Sequence, residues 1–243
     1  SSQLNDAVSS AKVAQKKWEK VGIEKRANIL NDIGSEIIKQ SKEIGTLLSR
    51  EEGKTLPEGI GEVVRSGQQF QYYAASALRQ FGENIASTRE GVSVEMTREP
   101  VGVCGIISPW NFPIAIAAWK AAPAMAFGNA VVLKPASQTP ASAIALTKII
   151  SNQKDIPEGL FNLVLGGGGT IGHQISGHSG IDAISFTGSV SVGQTIYMEA
   201  AKTMKKMQLE MGSKNPLLVM DDADLDIAVA CATNGAYGGT GQK

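Results

Sequence analysis

From Val101 onward the chain alternates short apolar runs with longer amphipathic stretches, and that alternation leaves few folds open. The first run, Val103 to Ile107, is too short for a helix and lies between Gly102 and Ser108, so it reads as a buried strand. Pro109 and Pro113 bracket a turn that holds Trp110, Asn111 and Phe112. A helical stretch follows, Gly128-Asn129 closes it as a C-cap, and a second short run ends at Lys134-Pro135. Continued along the chain, the pattern predicts strands at 103–107, 130–133, 161–165, 182–186 and 206–209. Helices are predicted at 112–127, 139–152, 169–178, 190–203 and 223–237. Such alternation calls for an α/β architecture, an open parallel sheet with helices on both faces. Asn111, Lys134 and Ser137 then fall just past the carboxyl ends of strands, the edge at which open α/β sheets bind ligands.

The residues before this region read as helical. Leu4, Ala7, Val8, Ala11, Ala14 and Trp18 form one apolar stripe, and a second helix, 24–52, carries Ile29, Leu30, Ile33, Ile37, Ile38 and Ile44. A third, 57–81, carries Ile60, Val63, Val64, Phe70, Tyr73 and Leu78. The charges between the stripes read as a solvated face, and no chemistry is assigned to these helices. Gly91 to Glu99 alternates loosely and reads as a strand, broken by Pro100. The expected organisation is a helical part over 1–90 and an αβ part over 91–243.

Lys plus Arg and Asp plus Glu number 23 each, so net neutrality offers no electrostatic case for nucleic acid or a membrane surface. No apolar run approaches the ~20 residues that span a bilayer. SSQLNDAVSS at the start lacks the order of a signal peptide, and the first residue is Ser rather than Met. Cys104 and Cys231 are too few for a disulfide framework, so a cytoplasmic location is the default expectation.

Several motifs carry two readings each. Gly166 to Gly169 follows a strand, with a spacing one residue longer than G-x-G-x-x-G, and reads as a dinucleotide turn or a plain loop. Gly188-Ser189 after Phe186-Thr187 opens a helix: either its free N–H groups hold a pyrophosphate, or Ser189 is only a cap. Lys134 ends a buried strand, where an ammonium needs a partner such as a ligand hydroxyl or phosphate, unless the side chain reaches solvent. Glu210, after Met207 to Leu209, is either a general base at a strand end or a surface acid. Asn111 can donate to a developing oxyanion, a contact of about 2.7–4 kcal/mol, or can be a turn asparagine. His173 and His178 lack further ligands for a metal site, and Asp221, Asp222, Asp224 and Asp226 read as helix N-terminal charge rather than a calcium loop.

PWNFP (109–113), KPASQTP (134–140), FTGSVSVG (186–193) and LEMGSKN (209–215), in that order and at those separations, resemble the NAD(P)-dependent aldehyde dehydrogenase superfamily. The resemblance runs from the first helices to Lys243 and implies a Rossmann-like sheet preceded by a helical segment. It implies that Asn111 stabilises a thiohemiacetal oxyanion and that Glu210 activates the water of deacylation. It also implies an NADP or NAD site built from Ser108, Pro109, Trp110, Asn111, Lys134, Pro135, Ala136, Ser137, Gly168, Gly188, Ser189 and Met211. A homodimer or homotetramer of the full-length enzyme, a small aldehyde substrate and no metal complete what it implies.

Three departures from the family's pattern matter. Ser137 stands where many NAD-preferring relatives carry a glutamate that repels a 2′-phosphate, so NADP is expected to be accepted; a Kd for NADP more than ~10 times that for NAD, about 1.4 kcal/mol, would refute this. Ser213 replaces the second glycine of the family's GG pair. The family's nucleophilic cysteine directly follows a GQ-x segment, and the chain stops at Gly241-Gln242-Lys243. The chain therefore reads as the amino-terminal half of an enzyme, inactive by itself. Runs such as EMGSKNPLLVMDDADLDIAV look closest to bacterial semialdehyde dehydrogenases, those acting on 2,5-dioxopentanoate before those acting on succinate semialdehyde. A nucleotide-binding module without chemistry and a purely structural protein remain as alternatives.

Overall fold

Apolar residues at helical spacing turn the first part of the chain into four helices: α1 (Ser2–Trp18), α2 (Ile23–Lys39), α3 (Ser41–Glu52) and α4 (Leu56–Ala77). The structure, a computed structural model, describes residues 2–80 and 82–242. Glycine sets how closely α2 and α4 approach. A Cβ at Gly34 would stand 2.6 Å from the Gly67 carbonyl oxygen, so the two backbones touch where larger residues would hold them apart. Trp18 is fully buried at the end of α1 and donates from Nε1 to the Met125 carbonyl at 2.7 Å, which satisfies the indole while its ring fills the core.

The single helix expected over 24–52 is two. Gln40 leaves the helical region at φ −89°, ψ 10°, and its side chain donates to Glu36 Oε1 at 2.7 Å. No Gly or Pro marks the break; tertiary packing makes it, turning α3 so that it lies against both α4 and the later helix α6 (Pro140–Ser151). The third helix stops at Ala77, and Phe81, its expected end, lies outside the described residues. The helical part is thus shorter than the expected 1–90, because strand β1 (Glu83–Ala86) follows it. β1 pairs antiparallel with β2 (Ser93–Met96), a shorter strand than the expected 91–99, and every residue of the two strands is exposed. With neither face buried, β1 leaves no alternation for a sequence reading to find.

Beyond the hairpin, β3 (Val103–Ile107), α5 (Pro113–Ala126), β4 (Ala130–Lys134) and α6 follow in turn, then β5 (Phe161–Leu163). A π-helical turn (Gly168–Gly172), the short α7 (His173–Gly177), β6 (Ala183–Gly188), α8 (Val190–Ala201), β7 (Lys206–Met211) and α9 (Leu225–Tyr237) complete the order. Five strands form one parallel sheet in the order β5-β4-β3-β6-β7. With this strand order, the right-handed rule for parallel crossovers assigns α5 and α6 to one face and α8 to the other. Gly128, at φ 87°, ends α5 in the left-handed conformation that its position as a cap requires. Glu51 ties the helical part to the sheet: its carboxylate accepts from the Ala141 and Ser142 N–H groups at 2.5 and 3.0 Å, at the positive end of α6.

β6 and β7 run two residues further than their sequence pattern predicts, and β5 stops two residues earlier. The acidic cluster behaves as expected at one position: Asp224 caps α9 through the Asp226 and Ile227 N–H groups. Among the described residues, no helix is long and apolar enough to cross a membrane.

Candidate functional site

Because all five strands are parallel, their carboxyl ends share one rim. The register aligns it: Lys134 pairs with Ile107, Ile107 with Phe186, and Phe186 with Leu209. One residue further along, Ser108 follows β3 and Thr187 pairs with Glu210. At about 4.8 Å between strands, Lys134 and Leu209 stand roughly 14 Å apart along the rim. Sheet order reverses between β3 and β6, since β3 leads through α5 to β4 on one side while β6 lies on the other. That switch point is where open α/β sheets form a ligand crevice. The loop carrying Asn111 leaves β3, Glu210 lies on β7, and only β6 separates the two strands.

One side of the crevice holds a cavity of about 380 Å³ lined by Ile107, Gly168, Gly172, Ser176, Thr195 and Ile196. Lys134 is 4% exposed, so the reading in which it reaches solvent is wrong. Its stem packs beneath the glycine turn, 3.8 Å from where a Cβ on Gly172 would stand, and its Nζ donates to the Pro135 carbonyl at 2.7 Å. No carboxylate pairs with it among the described residues, and burial pulls its pKa down. Ser108 is buried with its Oγ unpaired. Past β4, Ala136 is half-buried and Ser137 is exposed, its Oγ reaching the Gly166 carbonyl at 3.4 Å. Gly188 closes β6, and Ser189 caps α8 by accepting from the Val192 N–H at 3.4 Å. Ser189 is thus a cap, a role that does not exclude the pyrophosphate reading, because one cap leaves the other first-turn N–H groups of α8 without an intrahelical partner. Gly168 opens the π-helical turn, where the expected helix at 169–178 is replaced by that turn followed by α7.

The loop 108–112 rests on a buried ion pair. Lys54 Nζ donates to Glu62 Oε2 and to the carbonyl oxygen of Asn111, both at 2.6 Å, and sits 3.5 Å from the centroid of the Phe112 ring. The other Glu62 oxygen accepts from the Ile114 and Ala115 N–H groups at 3.2 and 3.1 Å, at the start of α5. Both side chains are about fully buried, at 1% and 2% exposure. Glu52 lies 3.9 Å from the same ammonium, and burial raises its pKa against the pull of Lys54. The charges of the helical part are thus not all a solvated face. One signal was available: Glu62 falls beside Val63 on the stripe Gly59, Val63, Ser66 and Phe70 that α4 buries. Pro109 is half-buried, and Trp110, at 43% exposure, points its apolar surface outward. Asn111 Nδ2 donates at 2.6 Å to the carbonyl of Gln242, while the Gly239 N–H donates to Glu58 Oε1 at 2.7 Å.

On the Glu210 side lies a cavity of about 700 Å³, with Tyr73, Ile116, Trp119, Lys120 and Glu210 in its walls. Glu210 and Met211 are the last residues of β7 rather than residues beyond it, and both are exposed. Lys120 escaped the sequence reading although it is the only charge in the apolar helix α5. It is 9% exposed, and burial pushes its pKa down to about 8 against the favourable charge of Glu210. Cys104 in β3 is a poor nucleophile: burial, with Asp182 adding to it, pushes the thiol up to about 12.

Comparison with known proteins matches residues 1–243 to the aldehyde dehydrogenase family. Alpha-ketoglutaric semialdehyde dehydrogenase of Bacillus subtilis is 43% identical over 239 residues, 98% of this chain and 48% of the relative. The 2,5-dioxopentanoate dehydrogenase of Saccharolobus solfataricus is 38% identical over 242 residues, 99% of this chain and 50% of the relative. Among solved structures, an NADP dependent enzyme of E. coli superposes with a TM-score of 0.95 at 35% identity, covering 98% of this chain and 49% of that one. The chain spans about half the length of the curated relatives it matches.

Proposed function

The chain belongs to the aldehyde dehydrogenase family, and from that premise we propose that it is the coenzyme-binding half of an NADP- or NAD-dependent enzyme oxidising a dicarboxylate semialdehyde, 2,5-dioxopentanoate first. The observation that carries this reading is the hydrogen bond from Asn111 Nδ2 to the Gln242 carbonyl, made across 131 positions of sequence. It brings an amide donor to Gln242, in the segment after which family members carry their nucleophilic cysteine. On this reading the catalytic domain lies outside the chain, and the whole enzyme is a cytoplasmic homodimer or homotetramer.

The rim fits a pyridine dinucleotide in its donors. Lys134 offers a buried ammonium with one carbonyl partner, Ser108 an unpaired buried hydroxyl, and α8 the N–H groups of its first turn. On this reading Lys134 and Ser137 would hold the adenosine ribose, together with Pro135, Ala136 and Gly168. Gly188 and Ser189 would hold the pyrophosphate. Ser108, Pro109, Trp110 and Met211 would hold the nicotinamide end. The coenzyme, when bound, supplies the hydride acceptor. Asn111 donates to the aldehyde oxygen as a thiolate adds to its carbonyl carbon and charge develops there. Glu210 then takes a proton from the water whose oxygen adds to the acyl carbon and expels the thiolate.

Two measurements on the full-length protein test the reading. In a substrate screen, 2,5-dioxopentanoate has the highest kcat/KM and succinate semialdehyde follows. Simple aliphatic aldehydes exceeding both would end the substrate assignment. Ser137→Glu puts a carboxylate beside the ribose, so the Kd for NADP rises about tenfold or more relative to that for NAD, by like-charge repulsion. Unchanged Kd values for both coenzymes would remove Ser137 from the site.

A further inference from the structure

The side chain of Gln208 stands between the buried ammonium of Lys120 and the carboxylate of Glu210. Gln208 and Glu210 are two residues apart on β7 and so share one face of the sheet. On the neighbouring strand Ser185 pairs with Gln208, and Thr187 with Glu210. Above that face α5 supplies Lys120, whose Nζ donates to Ser185 Oγ at 2.8 Å, to Gln208 Oε1 at 3.0 Å and to the Phe186 carbonyl at 3.3 Å. The Ser185 hydroxyl also donates to Gln208 Oε1.

These contacts determine which way the amide faces. With an ammonium and a hydroxyl both donating to one end of the side chain, that end is the carbonyl oxygen; the reversed amide would set N–H against N–H. The NH2 group is therefore turned toward Glu210, and Nε2 donates to Glu210 Oε1 at 2.9 Å. A bond to an ionised acceptor is stronger than a neutral one. Lys120 thus acts on Glu210 through an amide whose direction the ammonium itself sets.

We propose that Gln208 is a positioning residue for Glu210, holding its carboxylate on the Lys120 side of the cavity for the deacylation step. The proposal rests on the reading of Glu210 as the base that activates water. Gln208 touches neither substrate nor coenzyme in this role. Its removal leaves the carboxylate free to sample other rotamers, so the water-activating geometry is populated less often, while thiolate attack and hydride transfer are untouched.

The experiment uses the full-length protein with saturating coenzyme and 2,5-dioxopentanoate, following the first-turnover burst of reduced coenzyme and the steady state separately. Gln208→Met keeps the length of the side chain and loses its contacts with Lys120, Ser185 and Glu210. Gln208→Glu keeps an acceptor for Lys120 and Ser185 but turns the donor facing Glu210 into a second carboxylate. In both variants the burst rate stays within about twofold of the parent and the steady-state rate falls about tenfold, the loss of one charge-assisted hydrogen bond. Gln208→Glu is at least as impaired as Gln208→Met. If Gln208→Glu behaves as the parent while Gln208→Met is slow in both phases, Gln208 serves only to satisfy Lys120 and the proposal fails. Glu210→Gln is the control that separates the two readings. A slow steady state in Glu210→Gln with unchanged Gln208 variants overturns the role of Gln208 alone; an unimpaired Glu210→Gln overturns the role of Glu210 itself.

Discussion

Glu62→Ala lowers the stability of the protein by about 3–5 kcal/mol, the cost of breaking a buried ion pair by deleting one partner. The magnitude follows from what is left behind. Lys54, at 1% side-chain exposure, loses its 2.6 Å partner and keeps Glu52, 3.9 Å away, the Asn111 carbonyl and the Phe112 ring. The Ile114 and Ala115 N–H groups at the buried start of α5 lose their acceptor as well. Denaturant unfolding of parent and variant measures the difference. The double variant Lys54→Met, Glu62→Leu recovers part of it, because apolar residues of similar size need no compensating charge, while the Ile114 and Ala115 N–H groups still lack their acceptor. A loss below about 1 kcal/mol in Glu62→Ala, or a double variant worse than the single one, would show that the pair is not the support of this loop.

Asn111→Ala lowers kcat by about 10²–10³, the usual effect of deleting one oxyanion donor, with KM changed little. The side chain is already turned toward the Gln242 backbone and its own carbonyl is pinned by Lys54, so the donor is held in place before substrate arrives. Preorganised donors are worth more than mobile ones because no reorientation accompanies the reaction. The burst of reduced coenzyme in the full-length protein reads the effect directly, since the oxyanion forms before hydride leaves. A burst slowed less than fivefold would take Asn111 out of the chemistry and return it to the role of a turn residue. Lys54→Met, at the base of the same loop, links the two expectations: it costs stability and slows the burst together, because one ammonium serves both.

Much of the rim was legible because it is written in local signals. Val103–Ile107 and Ala130–Lys134 are short apolar runs between breakers, and alternation with helices permits little but a parallel sheet. Once the strands are parallel, Asn111, Lys134, Gly188 and Glu210 share an edge without further information. Lys54, Glu62 and Lys120 were missed for one reason: a charged residue in a helix is ordinarily solvated, and only the neighbours across the fold decide otherwise. Lys120 alone among the apolar residues of α5, and Glu62 on the apolar stripe of α4, are the form such exceptions take. The break at Gln40 left no mark at all, because the packing of α3 against two other helices makes it rather than any residue there.

The chain's own order of residues determined the class of fold, the sheet edge at which Asn111, Lys134, Gly188 and Glu210 gather and the family to which the motifs belong. These depend on period, breakers and spacing, which act over a few neighbours along the backbone. Tertiary structure alone decided which charges lie buried, which way the Gln208 amide faces and that Asn111 meets Gln242. Those are contacts between residues from eight to 131 positions apart, and their energies exist only after desolvation has been imposed by the rest of the fold.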